Sequence, residues 1–506
     1  MNILEWIDVG KISAERDENL KHYFYDNGTL KKIIDNDKFF LLLGRKGSGK
    51  TALFNHLTEN PKVFVGSQDS VISVSLDDYS WNVHALLSQN IAADSLSYRQ
   101  SWRFILMLET VKELATKDGA TKEILSANKT LEKIFGSPIP SVFELVKNKI
   151  LNLSKLKLPK GGLGLDGLDL DSIEVNGGEV AFEDVSENSG LKASLVCNIE
   201  GLTKYLEESV NSLTTFNNKI FICFDRVDEA WDTTSKVVSE KVITGLITAA
   251  DSITQRFNGL IRPIIFIRED IFETLPLNDK NKLREDCGSL LKWEKDGIIN
   301  LLLKRLNYYG EPHGVEITDI DVLFDRAEMR QRMKPSGYIL KRTMFRPRDV
   351  ICFFSKIISS LKDQQSDPFD EQEPLTDKLP VDAIYQAEPQ YSEWLLEEIK
   401  EEWAVQVPII KQLFDAIQNN GSTVMTKEEF KNQLSKVGIS YPNIAELNDQ
   451  LRFLYNNSII GFKIGGQNYW RYKCIYNSQG FSDEQEYHIH DGLCKSLNLA
   501  EPRNQS

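Results

Sequence analysis

The feature that most constrains this chain is the segment Gly44-Arg45-Lys46-Gly47-Ser48-Gly49-Lys50-Thr51, set between the apolar run FFLLL and the helical run TALFNHL. It fits G-x-x-x-x-G-K-[ST] at every fixed position, and its flanks fix a strand, a loop and a helix in succession. Glycines let a backbone wrap an anion without Cβ clashes, so that successive N–H groups converge on it. The N-terminus of the following helix adds its partial positive charge at the same point. Gly44, Arg45, Lys46, Gly47, Ser48 and Gly49 are therefore expected to cradle phosphates. Lys50 should reach the β/γ-phosphates of a nucleotide, and the Thr51 hydroxyl should bind Mg²⁺.

The rest of the N-terminal half suits a sheet able to carry such a loop. VISVSL at 71–76, IFICF at 220–224 and IIFI at 264–267 are short, nearly continuous apolar runs separated by helical stretches. That pattern belongs to parallel strands covered on both faces. The expected fold is α/β, a doubly wound parallel P-loop sheet with a helical lid and a C-terminal winged-helix-like domain. A chain of 506 residues exceeds what one core accommodates. We read 1–36 as an N-terminal lead-in and 37–289 as the P-loop core, with a polar Gly- and Asp-rich insert at 157–190. Residues 290–361 read as the lid, 362–390 as an acidic linker containing four prolines, and 391–506 as the C-terminal domain. In that last segment Thr426 and Glu429 form a capping box. Phe430, Leu434 and Val437, then Leu447, Leu451, Leu454 and Tyr455, recur at helical spacing. SIIGFKIGGQNYWRYK reads as two strands joined around Gly465–Gly466.

Three further segments carry candidate chemistry. KIFICFDRVDEAW is a strand that ends in Asp225, a carboxylate suited to Mg²⁺ beside the loop. Asp228 and Glu229 follow, and either could orient or deprotonate an attacking water; the spacing does not choose between them. In RPIIFIRED, Arg268 follows an apolar strand directly. A guanidinium there can grip phosphate oxygens bidentately, or pair with Glu269 or Asp270. In FRPRDVICFF, Pro347 opens a helix, and Arg346 or Arg348 would reach the phosphates if the lid folds over them. Arg284 and Arg305 are candidates for an arginine offered to a neighbouring subunit.

Composition removes several alternatives. The six cysteines include no CxxC pair, which argues against a zinc site or disulfide frame. His488 and His490 form the one close histidine pair and read as a strand-face or core pair. GLGLDGLDLD lacks calcium-loop spacing. No apolar run approaches the ~20 residues of a membrane helix, and MNILEWIDVG has no signal-peptide pattern, so a cytoplasmic protein without membrane partners is expected. A net charge of −14 disfavours long-range capture of nucleic acid. The third C-terminal helix offers mainly Glu446, Asp449 and a single Arg452.

Together GRKGSGKT, the strand ending in Asp225 with Asp228 and Glu229 behind it, and Arg268 resemble the signal-transduction NTPases with numerous domains, particularly their NACHT-related branch within the AAA-like ATPases. GRKGSGKTA, IRED and RPRD are similar to those of bacterial P-loop ATPases associated with phage-defence or mobile-element gene clusters. The resemblance implies ATP and Mg²⁺ as cofactors and slow, switch-like hydrolysis. It also implies a protein effector encoded nearby and nucleotide-dependent homo-oligomers. Arg226 departs from the pattern, standing where the family has a small residue, and no repeat-rich sensor region follows the C-terminal domain. A DNA-binding initiator-like ATPase is the competing expectation.

Overall fold

A computed structural model describes residues 2–63, 66, 69–75, 95–135, 139, 150–151, 180–181, 189–211, 219–227, 236–366, 377–441, 443–465 and 469–500. They form two compact units: Gly28–Arg45 with Lys50–Leu291, and Met1–Asn27 with Lys46–Gly49 and Lys292–Ser506. The strands in chain order are β1 (Leu41–Gly44), β2 (Ser70–Ser75), β3 (Ile150–Leu151), β4 (Val180–Ala181), β5 (Ile220–Asp225), β6 (Ile261–Arg268), β7 (Gly288–Leu290), β8 (Val424–Thr426), β9 (Ile460–Gly461) and β10 (Glu486–Ile489).

The first unit is built on a parallel five-stranded sheet of order β2-β5-β6-β1-β7. Its central strands are largely apolar because helices cover both faces, and the alternation of side chains shows which helix covers which. Ile220, Ile222 and Phe224 share one face with Ile261, Ile265 and Ile267, in a core that includes Trp102 and Ile243. Helices Ser95–Ala115 and Lys236–Arg256 cover that side; Trp102 meets Phe224 edge-on, with ring centroids 5.6 Å apart. On the opposite face Phe266 packs edge-on against Phe54 of helix Lys50–Glu59, at 5.7 Å. There too the buried Arg262 lies over Phe221 and donates to the Ile33 and Asn36 carbonyls. The sheet is thus doubly wound, as its apolar runs imply. Most of the insert expected at 157–190 falls outside the described residues. Val180–Ala181 within it pairs antiparallel with Ile150–Leu151, and helix Ser189–Asn211 begins at its end.

The second unit is mostly helical. Ile3, Trp6, Ile7 and Val9 are buried in its core with helices Lys295–Gly310, Pro335–Arg342, Pro347–Ser366 and Asp382–Trp403. Residues 1–36, read as one lead-in, therefore divide between the units after Asn27. Val350, Phe354, Ile357 and Leu361 recur at the spacing that buries one stripe of a helix. Phe353 stacks on Tyr391 of helix Asp382–Trp403, 4.3 Å between centroids. Downstream come helices Ile410–Asn420, Lys427–Lys436, which opens on the Thr426–Glu429 capping box, and Ile444–Asn456. A three-stranded antiparallel sheet of order β8-β10-β9 accompanies them. The hairpin reading is half right: Phe462 and Arg471 exchange backbone hydrogen bonds, yet β9 pairs with β10, well beyond the WRYK arm. Turn chemistry can bring two arms together, but sheet partners are chosen by burial, and Tyr487 and Ile489 of β10 are fully buried.

Helix Lys236–Arg256 crosses helix Ser95–Ala115 at a glycine. A Cβ on Gly245 would lie 2.6 Å from the Tyr98 Cβ and 2.9 Å from its carbonyl carbon. Alanine improves helix propensity by up to about 1 kcal/mol. Overpacking a core costs about 1–3 kcal/mol and should win. Gly245→Ala is expected to lower the chemical unfolding midpoint; a midpoint at or above that of the parent would mean that the two helices re-space freely.

Candidate functional site

In the first unit, three candidate elements end at one rim of the sheet. Gly44, Asp225 and Arg268 are the last residues of β1, β5 and β6. Gly44 is the register partner of Arg268. By the alternation described above, Asp225 and Arg268 lie on the face covered by helix Lys50–Glu59, whose first turn carries Thr51. Asp225, expected to deliver a carboxylate beside the loop, ends a strand one removed from the loop strand: β6, which carries Arg268, lies between β5 and β1. A strand's neighbours depend on crossovers and not on its own sequence. Asp225 is 3% exposed. Arg226 behind it takes a positive φ of 56°, an uncommon backbone state for a non-glycine residue, at a sharp turn off the strand end. Asp228 and Glu229, the candidate bases, lie outside the described residues.

Two cations at this rim are held by carbonyls and carboxylates. Lys50 Nζ donates to the carbonyls of Gly44 and Arg45 at 3.2 and 3.3 Å. Arg268 binds Asp270 bidentately, Nε to Oδ1 at 3.0 Å and Nη2 to Oδ2 at 2.8 Å, so the acidic partner that the sequence left open is Asp270. Glu269 lies 3.7 Å from Arg45 Nε.

The second unit contains the loop tip, Lys46–Gly49. Three consecutive carbonyls of the tip are pinned there. Arg346 Nη1 donates to Lys46 O at 3.2 Å, the Arg348 amide to Gly47 O at 3.3 Å, and Trp293 Nε1 to Ser48 O at 2.7 Å. In a trans peptide the N–H points opposite to the C=O. Turning these carbonyls toward Arg346, Arg348 and Trp293 therefore turns the amides of Gly47, Ser48 and Gly49 the other way, as an anion-binding nest requires. Gly47 and Gly49 hold φ of +78° and +97°, and a Cβ on Gly47 would meet the Arg348 Cβ at 3.0 Å, so glycine is dictated twice over at position 47. The Ser48 hydroxyl is buried with no hydrogen-bond partner among the described residues. An unmatched buried hydroxyl beside a nest suits a phosphate oxygen.

An ion network supports these donors. Arg346, 7% exposed, binds the fully buried Asp349 through Nε at 3.0 Å and lies 3.4 Å from Glu402. Burial alone would weaken its hold on the proton, but Asp349 and Glu402 outweigh it and raise the guanidinium above its already high value. Arg348 Nη1 donates to Glu398 Oε2 at 3.0 Å, and Lys46 Nζ lies 3.5 Å from the same oxygen. Burial pushes the Glu398 carboxyl upward, yet the adjacent Arg348 and Lys46 charges hold it below the usual range. Glu398, Glu402 and Trp293 escaped the sequence reading: EEIKEEW reads as a solvated helix face, and no local pattern names a partner some 350 residues away. Arg305 is corrected. It is bound to Asp17 at 3.0 Å and to the Val9 carbonyl at 2.6 Å, and it is 5% exposed, so it cannot serve a neighbouring subunit. Arg284 pairs with Glu273.

A parallel α/β sheet whose β1 runs through GRKGSGKT into a helix defines a P-loop protein. Among known proteins, residues 296–400 match the FunZ-associated C-terminal helical domain, the stretch that carries Arg346, Arg348 and Glu398. Over 365 residues, 69% of the chain, there is 23% identity to the 80.3 kDa protein named for transposon gamma-delta of Escherichia coli (strain K12). The match spans 46% of that protein, about half its length. The solved Orc1 protein of Aeropyrum pernix in complex with DNA aligns with 10% identity and a TM-score of 0.38, over 97% of this chain and 96% of its own. Drosophila ORC bound to DNA gives 9% and 0.31 over 98% and 91%. Cdc6p of Pyrobaculum aerophilum gives 11% and 0.29 over 91% and 85%. The fold itself is given by the order and register of this chain's own sheet.

Among the described residues no group of three or more His, Cys, Asp or Glu is placed to hold a metal, and no helix is long and apolar enough to cross a membrane. His488 bonds the Tyr472 hydroxyl through Nδ1 at 2.6 Å. His490 is fully buried; its Nδ1 accepts from the Gly492 amide at 3.2 Å, and its Nε2 has no hydrogen-bond partner among the described residues. Burial lowers His490 to about 4. Below the ordinary histidine value the unfolded chain takes up the proton first, so this contribution to stability is complete above pH ~6.5 and falls as the pH drops toward 4. The full loss is about 3 kcal/mol, an order of magnitude from the shift at 1.36 kcal/mol per unit. Thermal melts should show this acid slope between pH 6.5 and 4.5 in the parent and a flatter one in His490→Asn. Equal slopes would sink the assignment.

Proposed function

We propose that this chain is a Mg²⁺-dependent, ATP-binding and ATP-hydrolysing switch that regulates a partner protein. The observation that carries the reading is the loop tip, where three carbonyls are pinned away and the Ser48 hydroxyl is left buried without a hydrogen-bond partner among the described residues. Phosphates would lie on the amides of Gly47, Ser48 and Gly49, with Lys50 leaving the Gly44 and Arg45 carbonyls for the β/γ-phosphates. Thr51 and Asp225 supply hard oxygen ligands of the kind Mg²⁺ takes, and the ion would neutralise charge building on the phosphates. Asp228 or Glu229 would orient or deprotonate the attacking water, and Arg268 would exchange Asp270 for phosphate oxygens. ATP as the nucleotide, an effector encoded nearby and nucleotide-dependent self-association follow from the family resemblance. The transposon-named Escherichia coli relative favours a mobile-element setting over others.

A second reading, a DNA-binding initiator-like ATPase, has one feature in its favour. The C-terminal helices and three-stranded antiparallel sheet fit a winged helix, and its wing carries Lys463, Trp470, Arg471 and Lys473, with Lys463 Nζ 4.2 Å from the Trp470 ring centre. Phosphate contacts make affinity fall steeply with salt. A gel-shift titration at rising ionic strength decides: the switch reading expects no duplex binding at low salt, whereas salt-sensitive binding would favour the initiator.

For the nucleotide site, Lys50→Ala should abolish ATP binding in a fluorescent-nucleotide titration. Asp228→Asn or Glu229→Gln should retain binding while phosphate release falls by about 10²-fold or more. If both carboxylate variants turn over like the parent, neither is the base.

A further inference from the structure

We propose that Glu398 is a nucleotide-responsive latch: its carboxylate occupies Arg348 and Lys46 beside the loop tip, and bound nucleotide phosphate displaces it, loosening the end of helix Asp382–Trp403. This rests on the nucleotide-binding reading above.

The network beside the loop tip has three cations, Lys46, Arg346 and Arg348, and three carboxylates, Asp349, Glu398 and Glu402. It is balanced in charge, so an added polyphosphate must take cations from carboxylates already bound to them. Burial decides which pair yields. Arg346 and Asp349 have side chains 8% and 0% exposed, and breaking such a pair strands a buried charge. Arg348 and Glu398 are 26% and 19% exposed, and Lys46 is 30% exposed, so water can take over whichever partner is released. The fixed pair holds the loop tip through the Lys46 carbonyl, while the accessible pair can exchange partners. The Arg348 amide stays on Gly47 O in either case, so its guanidinium remains within one side chain's length of the nest. A guanidinium accepts carboxylate and phosphate through the same fork of donors, which makes the exchange chemically even.

Glu398 and Glu402 are one helical turn apart in the last two turns of helix Asp382–Trp403. Once Glu398 loses both cations, its depressed carboxyl loses the partners that offset its burial. That segment leads directly into helix Ile410–Asn420 and the C-terminal sheet. The latch would therefore link the phosphate site to the C-terminal segment by a single exchange of ion pairs. Linkage makes the coupling reciprocal: what weakens the latch must tighten nucleotide binding.

The test uses the full chain. Nucleotide dissociation constants are measured by titration for the parent, Glu398→Gln, Arg348→Ala and the double variant, with melting curves to verify folding. The latch predicts binding about three- to tenfold tighter for Glu398→Gln, weaker binding for Arg348→Ala, and no gain from Glu398→Gln once Arg348 is absent. A folded Glu398→Gln that binds no tighter than the parent overturns it. Hydrogen exchange on the parent gives a second measurement that requires no variant: ATP should speed exchange at 398–403 while protecting the loop. Unchanged or slowed exchange at 398–403 also overturns the latch. If the parent fails to bind nucleotide at all, the nucleotide reading itself falls, a result distinct from either.

Discussion

The site depends on the direction in which three peptide groups point. A glycine-rich loop has no intrinsic reason to aim its amides one way; with positive φ available at Gly47 and Gly49 it has more conformations open to it than most sequences. Here the Lys46, Gly47 and Ser48 carbonyls each meet a donor, from Arg346, the Arg348 main chain and Trp293. Each such bond is worth only about 1 kcal/mol net, somewhat more where the donor is charged. Their value lies in orientation, because every carbonyl fixed on one side fixes an amide on the other. The buried Arg346–Asp349 pair then serves the loop as much as the helix it starts, since it locks the guanidinium that holds Lys46 O.

How much of this could be read from sequence follows from the range of each interaction. The strand, loop and helix around Gly44–Thr51 are contiguous, so their chemistry is legible residue by residue. The doubly wound parallel sheet is legible too, because burial on both faces leaves no polar alternation in IFICF or IIFI. Strand order is not: nothing in KIFICFD says that β6 lies between it and β1. The same holds for side-chain partners. Trp293, Glu398 and Glu402 look like an ordinary buried aromatic and two solvated acids until the chain brings Ser48, Lys46, Arg348 and Arg346 to them. Arg305 shows the reverse error: an arginine free to be imagined at a subunit interface is instead bound to Asp17 and stacked over Tyr23.

Local grammar also reaches different distances in the C-terminal part. Thr426 and Glu429 are three residues apart, and their reciprocal hydrogen bonds need nothing beyond the first turn of a helix. The arms around Gly465 meet at Phe462 and Arg471 for the same reason. β10 comes fifteen residues after that arm and takes the central place between β8 and β9 because its inward residues, Tyr487 and Ile489, fill the core. Turn residues can nominate a pairing, but a three-stranded sheet on a helical core gives its middle position to the strand that buries most.

The two arginines expected to read phosphate share one condition. Arg268 is held bidentately by Asp270 at 2.8 and 3.0 Å, and Arg348 by a single bond from Nη1 to Glu398 Oε2 at 3.0 Å. A carboxylate is a planar two-oxygen anion, so it satisfies the guanidinium fork with half the charge of a doubly ionised terminal phosphate. On the proposed reading both arginines are kept oriented and partly neutralised by an acid that a stronger anion can replace. A lone phosphate would displace at most one of them and would have to bear that cost without the remaining contacts. On the same reading, a polyphosphate held by the Gly47–Gly49 amides would gain further contacts that offset the displacement of an acid. Selectivity for a nucleoside triphosphate over smaller anions would then come as much from the acids that must be displaced as from the donors that receive it.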